Sequence, residues 1–126
     1  MKNRIVMLMV AMAGLLLGTQ SALAASAAVK EMAGIMIHLE HYPTSEEKGK
    51  LKSIADNMAS TENERVLARA IMNLKHKAAD EDKGKLKKVM DDSSAPADER
   101  ELAGIILNIS HMPSAADKSK LEQMMK

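Results

Sequence analysis

An all-α fold, built from three helical hairpins arranged as a short solenoid or a compact six-helix bundle, is what this sequence predicts. Three observations carry the prediction. HYPTSEEKGKL at 41–51 returns as HKAADEDKGKL at 76–86 and as HMPSAADKSKL at 111–121, each copy 35 residues after the last. A fixed period of that length marks repeated supersecondary units. Apolar residues between the copies recur at helical spacing, and no stretch supports a strand.

The elements follow in chain order. Lys2 and Arg4 precede the apolar run IVMLMVAMAGLLL at 5–17, and Ala22-Leu23-Ala24 offers small residues for a signal peptidase. Residues 1–24 are therefore expected to be a cleaved export signal, leaving one domain over 25–126. The apolar run falls short of the roughly 20 residues of a spanning helix. With no cysteine anywhere in the chain, lipid attachment, disulfides and thiol chemistry are excluded. These features point to a periplasmic or secreted protein that does not insert in the membrane once processed.

Three units are expected, over about 26–60, 61–95 and 96–126. In the first helix of each, Met32, Met36 and Leu39 match Leu67, Ile71 and Leu74, then Leu102, Ile106 and Ile109. Ala33, Ala68 and Ala103 align beside them, and Ile35, Ile37, Ala70, Ile105 and Leu107 widen the apolar face. This helix should be inner. In the second helix Leu51, Ile54 and Met58 form a narrower stripe, echoed by Leu86, Val89 and Met90 and by Leu121, Met124 and Met125. This one should be outer.

Thr44 with Glu47 and Thr61 with Glu64 read as capping boxes, Ser114 with Asp117 as a weaker start, and Asp80 as a cap for the middle outer helix. Pro43 and Pro113 should stop the inner helices, and Asp91 to Pro96 should form a turn. The expected helices are 26–41, 45–58, 62–76, 80–91, 97–111 and 115–125. In period and layout the units resemble tetratricopeptide and related α-solenoid repeats; the first functional expectation is a non-enzymatic protein–protein interaction module or accessory factor. The Trp, Leu-Gly, Tyr and Phe pattern of tetratricopeptide units is absent. An uncovered end of such a stack would either close on itself or pair with a second copy.

Charge singles out no partner. The chain has 18 Lys and Arg against 17 Asp and Glu, and Lys2 and Arg4 leave with the export signal. Tyr42 is the lone aromatic, so base stacking and nucleic-acid binding are not expected. Lys48, Lys50 and Lys52 align with Lys83, Lys85 and Lys87, then with Lys118 and Lys120. In stacked units they would form a basic ladder on neighbouring helices. Tyr42, Lys50, Lys85 and Lys120 are thus the candidate contacts for an unidentified periplasmic protein or peptide.

Metal binding is the alternative function. His38 and His41 lie three apart, on one face if helical, and form a candidate Cu, Zn or Ni site with Met36 in support. The aligned His41, His76 and His111 read more simply as helix C-terminal caps. Equivalent residues of stacked helices sit roughly 10 Å apart, too far to share one ion. Gly49 and Gly84, inside outer helices, suggest close approach to the alanine column. No nucleophile motif, zinc-protease motif or cofactor fingerprint occurs, so no catalytic residue and no cofactor is expected.

Overall fold

Six α-helices account for the ordered architecture of the computed structural model, which describes residues 25–126. They are α1 (Ala27–Ile37), α2 (Ser45–Asp56), α3 (Glu62–Met72), α4 (Asp80–Asp91), α5 (Ala97–Asn108) and α6 (Ala115–Met125). None is long and apolar enough to cross a membrane. The expected export signal lies outside the described residues.

Helix starts follow the capping chemistry. The Thr44 and Thr61 hydroxyls accept from the Glu47 and Glu64 amides, and those glutamates accept in return from the two threonine amides. Ser114 and Ser26 cap α6 and α1 through their hydroxyls. Asp80 does not cap α4. The cap residue is Ala79, which offers no side-chain bond. Asp80, Glu81 and Asp82 instead fill the first turn, where negative charge meets the positive end of the helix dipole.

The inner helices stop earlier than the apolar spacing predicts. They end at Ile37, Met72 and Asn108, after which Leu39, Leu74 and Ile109 turn back onto the core. Their amides close the last turn on Met36, Ile71 and Ile106. The 3.6-residue pattern continues through these residues because they are buried, not because they are helical.

The arrangement is a closed bundle, not an open solenoid. Outer α2 packs most extensively on inner α3, outer α4 on inner α5, and outer α6 on inner α1. The first and last helices therefore complete a ring, and neither end of a stack is left uncovered. The three inner helices also meet one another at the centre. Within a unit, the two helices joined by the histidine turn make fewer contacts than those of successive units.

The core is the predicted one. Met32, Leu67 and Leu102, then Met36, Ile71 and Ile106, then Leu51, Leu86 and Leu121 are fully buried, with the alanine column among them. Burying each such side chain is worth about 1.5–3 kcal/mol. Met58 leaves the expected stripe and is 89% exposed.

Glycines mark close approach, but not those expected. A Cβ on Gly49 or Gly84 would meet open space, whereas one on Gly34 would touch Met125 and one on Gly104 would touch Met90. Each is a small residue on an inner helix receiving a methionine from its outer partner. At the equivalent place between α2 and α3 the sizes are exchanged, and Arg69 reaches over Ala55 to its carbonyl at 3.4 Å.

Candidate metal centre

His41, His76 and His111 lie beyond the inner helices, each at φ 70°. A non-glycine residue seldom adopts positive φ, although histidine tolerates it better than most. The Tyr42 amide donates to the Glu40 carbonyl at 2.7 Å, and the Met112 amide to the Ser110 carbonyl at 2.8 Å. Positive φ under such a bond is the rarer, strained form of γ-turn. At the middle turn the Lys75 amide donates to the Lys77 carbonyl at 3.2 Å.

What holds three strained residues in place is a closed ring of backbone hydrogen bonds. The His41 amide donates to the His111 carbonyl, the His76 amide to the His41 carbonyl, and the His111 amide to the His76 carbonyl, all at 2.7 Å. Each histidine gives once and accepts once. The ring ties the three units together at one point.

The side chains converge with the backbone. Nδ1 of His76 lies 3.1 Å from Nδ1 of His41 and 2.9 Å from that of His111, and the His41–His111 pair is at 3.3 Å. The ring centroids stand farther apart, at 4.8, 4.8 and 5.2 Å, with the rings steeply tilted to one another. Nδ1 is therefore the inward-pointing vertex of each imidazole.

These distances fit a three-nitrogen metal site. Zinc–imidazole bonds of about 2.0–2.1 Å place ligands about 3.3 Å apart at the tetrahedral angle and about 2.9 Å apart at a right angle. The observed 2.9, 3.1 and 3.3 Å span that interval.

The alternative occupants satisfy the triangle less well. A neutral imidazole Nδ1 carries either one proton or one lone pair in the ring plane. A proton shared at one corner leaves the other lone pairs facing each other, and a second proton would face the first. A central cation meets all three at once. This is the one grouping of three or more His, Asp and Glu side chains with metal-site spacing among the described residues, and all three histidines are exposed.

The structure corrects the histidine reading in two respects. These residues do not cap helix ends, because they lie three or four residues past them at positive φ. Nor are they a helix spacing apart. The 10 Å expectation assumed that units are related by translation. They are related by rotation, and a residue near a rotation axis meets its own copies. His38 is the residue that follows α1, where its amide donates to the Met36 carbonyl, and it lies outside the histidine triangle. Met36 is fully buried in the core, so its thioether is unavailable to an exposed site.

The remaining candidates are dispersed. Tyr42 is 58% exposed and directly follows His41. Lys50, Lys85 and Lys120 are exposed on three outer helices whose main packing partners are inner helices, so no ladder runs between neighbours. Other lysines are matched locally. Lys52 binds Asp56 at 2.6 Å and holds that carboxyl below its ordinary range, Lys87 pairs with Asp91, and Lys83 pairs with Asp80. A surface depression of about 280 Å³ between Lys52, Ala55, Asp56, Arg69, Met72 and Asn73 does not include the histidines. No family model, curated protein or solved structure matches this chain.

Proposed function

We propose that this chain is a non-enzymatic metal-binding protein of the bacterial periplasm, holding one divalent transition-metal ion on Nδ1 of His41, His76 and His111. The observation that carries the reading is the 2.9–3.3 Å nitrogen triangle, built from one residue of each unit and fixed by a backbone ring. Imidazole donors without thiolate favour Zn²⁺, Ni²⁺ or Cu²⁺ over Cu⁺. The periplasmic placement rests on the export signal expected at 1–24.

Native mass spectrometry of the 25–126 chain, purified from the periplasm without a metal-chelating tag, tests the reading. One ion per chain is expected, lost in His76→Gly, where glycine keeps the φ 70° turn and removes only the imidazole. A chain that takes up no ion from micromolar metal, or a His76→Gly chain that keeps it, overturns the proposal.

Tyr42 favours a second reading, in which the same face docks a periplasmic protein or peptide. The only aromatic side chain is more than half exposed beside His41. Crosslinking in intact cells that is lost on Tyr42→Ala, but kept on His76→Gly, would support docking independent of metal.

A further inference from the structure

Three protein ligands leave a tetrahedral or octahedral ion at least one open position. Resting on the metal reading above, we infer that this position takes a small free carboxylate, drawn there by Lys75 and Lys77. Both lysines are exposed, both flank His76, and neither forms an ion pair among the described residues. The hydrogen bond from the Lys75 amide to the Lys77 carbonyl holds the two together across the turn.

Charge at the three turns selects an anion. The residues before the histidines are Glu40, Lys75 and Ser110, and those after are Tyr42, Lys77 and Met112. Two positive charges and one negative flank the histidines, and a divalent ion held there would raise the local balance further. Among the described residues no carboxylate joins the histidine group to fill the position from within. The site lies at exposed turn tips, so a small ligand reaches it without any opening of the fold. Carboxylate oxygen is a regular ligand of zinc alongside imidazole nitrogen.

Cobalt(II) substitution tests the inference on the 25–126 chain, because the visible bands of Co²⁺ report its coordination. Acetate titrated into the cobalt-loaded protein should change those bands saturably. Lys75→Gln/Lys77→Gln should show the same bands without acetate and bind acetate about tenfold more weakly. Bands that ignore acetate, or equal acetate affinity in the double variant, overturn the inference and leave the metal site standing. Dimerisation on cobalt loading would mean that a side chain of a second copy fills the position, and also overturns it. Absence of cobalt bands before any acetate is added removes the metal reading and this inference together.

Discussion

The two ends of the inner helices obey different rules. At their C-terminal end three identical histidines share one φ, one closed ring of backbone hydrogen bonds and one meeting point. At their N-terminal end the equivalent residues are not all identical at either of two positions. Ser26, Thr61 and Pro96 occupy one position, and Val29, Glu64 and Glu99 another. Glu64 and Glu99 are buried there and find separate partners. Glu64 accepts from the Ser26 hydroxyl at 2.7 Å and from the Thr61 amide, while Glu99 accepts from the Asn63 amide group at 3.1 Å. Burial pushes the Glu99 carboxyl above its ordinary range, the Asn63 bond opposes this, and the charge of Glu64 adds to the rise.

The difference teaches where symmetry is required. A closed ring of three backbone bonds needs three matching turns, and one mismatched φ would open it. The carboxylates at the other end are satisfied pairwise across neighbouring units, Glu64 by Ser26 and Glu99 by Asn63, so no three-way match is needed there.

Proline at the hub is the most severe way to break this comparison. His76→Pro removes the amide that donates to His41 and forces φ near −65° where 70° is required. Lost bond and strain together should cost about 3 kcal/mol or more, read as a fall in the denaturation midpoint. Glu64→Ala at the opposite end should cost less, about 1–2 kcal/mol, because it removes one capping box and one side-chain partner. Equal losses at the two ends would contradict the distinction.

Smaller effects sharpen it. Gly49→Ala and Gly84→Ala should each stabilise by about 1 kcal/mol, since alanine is the better helix former and its methyl meets open space. Destabilisation would restore the close approach that the sequence suggested. Glu99→Gln should alter the pH dependence of stability more than its size. A carboxyl whose pKa is raised on folding stabilises the native state in acid, and that contribution is lost as pH rises through the folded pKa. The glutamine variant should therefore exceed the parent at neutral pH, with the gap closing as the solution is acidified. A gap that does not change with pH would contradict the assignment.

Much of the fold was legible in the sequence. The apolar columns at Met32, Leu67 and Leu102 and at Leu51, Leu86 and Leu121 are the core, because helical periodicity and burial report the same property. The helix ends were less legible. Leu39, Leu74 and Ile109 keep the period after the helices have stopped, so spacing alone extends them too far. The site was misread for a geometric reason. Three identical histidines at a 35-residue interval were visible, but a linear repeat does not say whether its units translate or rotate. Only the pairing of α6 with α1 decides that. Identical polar residues at the turn of every unit, while neighbours such as Tyr42, Lys77 and Met112 diverge, were the signal that pointed to an axis.

The central claim is that one imidazole from each unit meets the others through Nδ1. Long-range proton–nitrogen NMR of the zinc-loaded 25–126 chain reads this directly. The account predicts that Nδ1 of His41, His76 and His111 shift together to metal-bound values at one equivalent of zinc, with Nε2 protonated in all three and His38 unchanged. Ligation through Nε2, or a response confined to His38 and His41, would contradict it.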